Sequence, residues 1–194
     1  MVAKGETNHE IGREGVRKVK LWLESTLVAK VHWTSGFSGD NKIRFTRADG
    51  KETFTFDLGG MMTEPSQDSG IFMGECKHRK DTKLGSEFRQ FLAQCYRAES
   101  VGTLADYFFW ISFTPFLMKD WQIKESVDYI EAAVMDNKPI ALGDDAFDPE
   151  IAQRVSDKLI TVVLSDRQLE HLSLGESELI EVQQALLKIR KQSN

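Results

Sequence analysis

Cysteine is scarce in this chain of 194 residues: Cys76 and Cys95 are the two present. Two thiols are too few for a disulfide framework or a thiolate zinc site, so a reducing, cytoplasmic setting is expected. The four histidines, His9, His32, His78 and His171, show no metal-ligand spacing with one another. No run approaches the roughly 20 apolar residues that a membrane span needs, so no membrane partner is expected. The stretch Met1 to Glu14 lacks the apolar centre of a signal peptide. The glycine-framed signatures of serine hydrolases and phosphate-binding loops are missing too, as are internal repeats.

What is present reads as a globular protein. Hydrophobic residues make up 41% and charged residues 28%, in a length suited to a single domain. The formal net charge of -5 is unevenly spread. Residues 1–119 carry 17 Lys+Arg against 15 Asp+Glu, whereas residues 120–194 carry 8 against 15. The overall sign argues against a large nonspecific nucleic-acid binder, and any phosphate-binding face belongs to the first part.

Hydrophobic periodicity predicts the elements. Val16, Val19, Leu23 and Leu27 form one stripe of a leading helix from about Glu10 to Lys30, with Arg13, Arg17, Lys18 and Lys20 on its other side. Gly12 and Gly15 near its start mark either room for something packed closely there or a frayed entry to the helix. Lys42 to Arg47 and Glu52 to Leu58 alternate on either side of Asp49-Gly50, a strong hairpin signal, and Gly59-Gly60 is expected to end the second strand. Ile71 to Lys77 is a third strand, Leu84 to Glu99 an amphipathic helix, and Tyr107 to Phe113 a buried central strand. A helix over Trp121 to Asp136, a β-branched strand over Leu159 to Leu164 and a charged helix over Glu176 to Lys191 complete the chain. The expected class is α/β, with a mixed central sheet flanked by helices.

One arrangement carries chemistry. Asp57 closes a strand, and Glu75 and Lys77 lie two apart on the next. Residues two apart on a strand point the same way, so Glu75 and Lys77 project together while Cys76 turns to the opposite face. If the two strands are neighbours, two carboxylates and an ammonium converge. Such carboxylates suit a hard, oxygen-seeking cation such as Mg2+, with Mn2+ as a substitute. The ammonium would orient or help deprotonate a water, or offset charge at phosphorus.

Asp57 followed by Glu75-Cys76-Lys77 resembles the PD-(D/E)XK nuclease signature of the restriction-endonuclease-like fold. The order α-β-β-β-α-β over about residues 10–115 is similar too, with residues 119–194 as an acidic α/β extension of the same single domain. The resemblance implies metal-dependent hydrolysis of DNA, with Asp57 and Glu75 as metal ligands and Lys77 as the catalytic lysine. It also implies a metal-facing acid on the leading helix, a place that Glu14 fits, although first-turn acids equally suit the helix dipole. A glutamine on the following helix is a further family feature, for which Gln90 and Gln94 are candidates with Tyr96 nearby. No proline precedes Asp57, and Asp68 is a rival for its role.

Between Lys77 and Arg97 there are six Lys+Arg and two acids. Arg79, Lys80 and Lys83 are therefore candidates to meet a phosphate backbone, with Gln90 beside them. The function expected is a Mg2+-dependent nuclease of bacterial restriction or antiphage defence, acting as a homodimer or with a partner protein that supplies recognition. The alternative is a catalytically inactive relative that binds nucleic acid or protein.

Overall fold

The computed structural model describes residues 4–37, 39–63, 70–78, 84–114, 121–165 and 176–192. Its first helix, α1 (Lys4–Ser25), stops earlier than the apolar stripe suggests. The Val28 N–H donates to the Leu23 carbonyl and the Leu27 N–H to that of Glu24. Leu27, with φ 55°, takes the left-handed place usually given to glycine in this kind of helix stop. Leu27 is thus a terminator, and the apolar residues after it belong to a strand, β1 (Ala29–Thr34), that the helical pattern concealed.

A short 3-10 turn (Asp40–Lys42) leads into β2 (Arg44–Thr46) and β3 (Thr53–Thr55). These pair antiparallel around the Asp-Gly turn, with Phe45 opposite Phe54. The hairpin is a separate two-stranded sheet. The main sheet uses instead β4 (Leu58–Met62) and β5 (Ile71–Lys77), followed after α2 (Leu84–Ser100) by β6 (Ala105–Ser112). Next come α3 (Trp121–Lys124), α4 (Val127–Asp136), α5 (Lys138–Ala141), α6 (Pro149–Lys158), β7 (Leu159–Val163) and α7 (Glu176–Gln192). The helix expected over 121–136 is therefore two pieces, the second capped by Ser126, whose Oγ accepts from the Tyr129 N–H.

The five main strands lie in the order β1-β4-β5-β6-β7. β1, β4 and β5 form an antiparallel meander. β5, β6 and β7 are parallel, so the sheet is mixed and changes sense at β5. Alternation along β6 sends Phe108 and Trp110 into one apolar cluster and Phe109 and Ile111 into another. On the first face, Phe88, Phe91 and Leu92 of α2 cover the sheet together with Ile130 and Val134 of α4 and Val155 of α6. On the second, Val19 and Leu23 of α1 meet Leu58, Phe72 and Cys76. The acidic C-terminal part thus shares its apolar cluster with α2 and adds β7 to the same sheet. No helix among the described residues is long and apolar enough to cross a membrane.

Gly59 and Gly60 do not end a strand; they lie inside β4, opposite β1 on one side and β5 on the other. A Cβ at Gly60 would collide with the Lys30 carbonyl oxygen and stand 3.0 Å from the His32 nitrogen, both backbone atoms. Gly60→Ala should therefore cost about 3 kcal/mol, read as a melting temperature lower by roughly 10 °C. Gly12→Ala is the control: nothing lies within 4 Å of the added carbon, so helix propensity predicts a gain of up to about 1 kcal/mol. Equal effects of the two changes would refute this account of β4.

Candidate functional site

β4 and β5 bring the sequence-predicted residues together. Their register pairs Leu58 with Gly74, so Asp57, one step before β4, stands beside Glu75. Asp57 is held at two points: its Oδ2 accepts from the Cys76 N–H at 2.9 Å, and its carbonyl accepts from the Ser35 N–H at 3.0 Å. The carboxylate thereby takes a backbone donor at the end of the β4–β5 ladder.

Glu75 and Lys77 share a face of β5, as strand alternation requires, and meet directly: Lys77 Nζ lies 2.6 Å from Glu75 Oε1. Both side chains are only 15% exposed. Glu87, from the first turn of α2, stands 3.8 Å from the same ammonium. Trp110, the β6 neighbour of Glu75 in register, places its ring 5.9 Å from Lys77 Nζ. Glu75 and Glu87 thus flank one ammonium over an indole, and Asp57 adds its charge from nearby.

This setting shifts the titrations. Burial, reinforced by Asp57, pushes the Glu75 carboxyl up to about 8, against the lowering pull of Lys77. For Lys77, burial works toward a lower value, but Glu75, Asp57 and Glu87 together outweigh it and raise the ammonium above its ordinary range. The raised value favours the cationic form of Lys77, which suits a charge-offsetting role better than the base role the sequence left open. Cys76 points to the opposite face, and burial holds its thiol well above the usual range, so it is no nucleophile.

Glu14 lies on α1, paired with Arg17, and lines a cavity of about 980 Å³ that Asp57 and Lys77 also line. α1 approaches β5 this closely because of Gly15, where a Cβ would strike His78 and come within 3.2 Å of Cys76 Sγ. His78 completes the seam: its Nδ1 is 3.3 Å from the Ile11 carbonyl oxygen, and its ring packs edge-on against Phe113 at 4.3 Å. Among the described residues no group of three or more His, Cys, Asp or Glu is placed to hold a metal. Asp57 and Glu75, two hard oxygen donors whose charges oppose each other's ionisation, are the pair whose chemistry fits Mg2+.

The remaining candidates fall elsewhere. Arg79, Lys80, Lys83 and Asp68 lie outside the described residues. Gln90 is exposed on α2, and the α2 side chain that reaches Lys77 is Glu87. Tyr96 is structural: its hydroxyl accepts from the Asp148 N–H at 2.7 Å, and its ring stacks on Phe147. Arg89 and Arg97, counted in the basic stretch, tie α2 to Tyr129 and Asp136 of α4 and to the Thr46 carbonyl of β2. Besides Lys77, the cations that line the cavity are Arg13, Arg17 and Lys20 of α1. Their i, i+4, i+7 spacing was visible in the sequence as an exposed helix face, but what lies opposite that face was not.

No protein-family model and no curated protein matches this chain. A solved structure that is similar is the Moraxella osloensis Cap4 SAVED/CARF-domain containing receptor, at 13% identity and a TM-score of 0.37. The match covers 98% of this chain and 42% of that one.

Proposed function

We propose that the chain is a Mg2+-dependent nuclease that hydrolyses DNA phosphodiesters, with a restriction-endonuclease-like core and a role in bacterial restriction or antiphage defence. The observation that carries this reading is the convergence of Asp57 with the Glu75–Lys77 pair, at the ends of adjacent strands and beside an open cavity. The succession of α1, the β1-β4-β5 meander, α2 and the parallel β6 supports the fold assignment, with the β2–β3 hairpin as an insertion.

Asp57 and Glu75 would hold the cation, with Asp57 and Glu14 both lining the cavity. A bound Mg2+ would supply Lewis-acid charge to the phosphoryl oxygens and lower the pKa of a water it holds. In the hydrolysis, the water oxygen bonds to phosphorus as a P–O ester bond breaks, one proton leaves the water and the departing oxygen gains one. Lys77, kept cationic by its three acids, places a fixed charge where the phosphoryl oxygens become more negative. Trp110 and the surrounding core leave the Glu75–Lys77 contact only 15% exposed, which strengthens that field.

One observation favours the inactive alternative: Asp57 already spends an oxygen on the Cys76 N–H. A supercoiled-plasmid assay decides between the two. The nuclease reading expects nicking or linearisation with millimolar Mg2+ and none in EDTA. Intact plasmid with Mg2+ and with Mn2+ would leave the binding reading.

A further inference from the structure

The cavity beside the trio has a composition that the cleavage reading alone does not require. Arg13, Arg17 and Lys20 line it from α1, and Phe37 lines it from the loop after β1. Three cations spread over eight residues of helix span about 10 Å along its axis. A small anionic ligand needs charges that converge on one point. A row of charges matches an anion that repeats, as a sugar–phosphate backbone does.

Phe37 adds the second feature. It is 66% exposed although both apolar clusters lie in the same molecule, and it shares the cavity with Asp57 and Lys77. An exposed ring beside a cationic row is what a nucleobase face stacks on. In an intact duplex each base is already stacked on both sides, so the ring has no use there. In an unpaired strand every base offers a face. Glu10 and Glu14 also line the cavity, and Glu14 is paired with Arg17. The acids keep the field local, so binding depends on few phosphates and on the ring.

We infer that this cavity binds an unpaired DNA strand, a single strand or a frayed or overhanging end, with phosphates along Arg13, Arg17 and Lys20 and one base stacked on Phe37. The inference rests on the nuclease reading and adds the substrate class that the site would accept.

The test is equilibrium binding in EDTA, where no cleavage occurs, with the full chain and a fluorescein-labelled single-stranded oligonucleotide or its blunt duplex. A second single strand carries 2-aminopurine to report stacking. The single strand should bind at least tenfold more tightly than the duplex. Three phosphate contacts predict a slope of log K against log salt near about -2, which Lys20→Gln should reduce by about 0.7. Phe37→Ala should weaken single-strand binding about tenfold and abolish 2-aminopurine quenching, whereas Phe37→Tyr should keep both. Because Phe37 is exposed, its melting temperature should hardly change on substitution. Equal affinity for the two DNA forms, or unaltered binding by Phe37→Ala, would overturn the inference and leave the plasmid result untouched. Phe37-dependent binding without any plasmid cleavage would overturn the nuclease reading and leave the occupant of the cavity standing.

Discussion

Lys77→Met is expected to reduce plasmid cleavage by about 10³-fold, the scale seen when a positioned charge-stabilising group is removed, while the chain stays folded. The folding half of that expectation needs an argument, because stripping one partner from a buried ion pair usually costs several kcal/mol. Here the remaining partner has an exit. Glu75 already holds its proton far more tightly than an ordinary carboxyl, so it can become neutral instead of remaining as an unpaired buried charge. Methionine keeps the aliphatic length that packs over Trp110. Circular dichroism and thermal melting should show a native spectrum and a loss of only a few degrees at neutral pH. Cleavage at wild-type rates by the folded variant would remove Lys77 from the mechanism, and with it the nuclease reading of the trio.

Glu75→Gln should have an effect on stability that grows with pH. In the folded chain the Glu75 carboxyl titrates near 8, raised by burial and by Asp57, whereas in an unfolded chain it ionises near the ordinary value of about 4.3. Below that ordinary value both states are protonated and the residue is neutral to folding. Between the two values the unfolded chain gives up its proton and the folded chain keeps it, so the contribution to stability falls as pH rises. The groups facing Glu75 are Lys77 on its own strand, Asp57 before β4 and Glu87 on α2. Lys77 is raised above its ordinary range and stays charged throughout this window. In EDTA, wild type should therefore lose stability from pH 5 to pH 8. Glu75→Gln should abolish that part of the slope, standing about 5 °C above wild type at pH 8, or roughly 2 kcal/mol in a chain of this size. Added Mg2+ should stabilise wild type most at the alkaline end, where the carboxylates are easiest to ionise, and should do little for the variant. Parallel pH profiles for the two proteins would contradict the burial of an acid at this place.

The trio was legible because it is written in alternation: Glu75 and Lys77 share a face by virtue of being two apart, and the aromatic run through Phe108 and Trp110 declared itself a buried strand. The hairpin around Asp49-Gly50 was equally plain. β1 and β4 were not. Their signals depend on a neighbour, since Gly60 is a glycine because the Lys30 backbone crosses it, and Leu27 stops α1 in a conformation its side chain does not advertise. α6 escaped notice because only Ala152 and Val155 of its ten residues are buried. The cationic side of α1 reads from the sequence as a solvent face. That reading was correct about exposure and silent about the cavity, since periodicity reports which residues face outward and not what stands across from them.

Gly15 has one more bearing. With His78 filling the space where its side chain would be, α1 and the end of β5 touch without an intervening layer that could deform. The spacing between the backbone of the helix and the end of the strand is then set like the gap of a caliper. On the proposed reading, a strand held along the helix would be presented to Lys77 at a constant offset, whatever its base sequence. Widening that gap by one layer of atoms would let the protein grip its ligand and miss the bond.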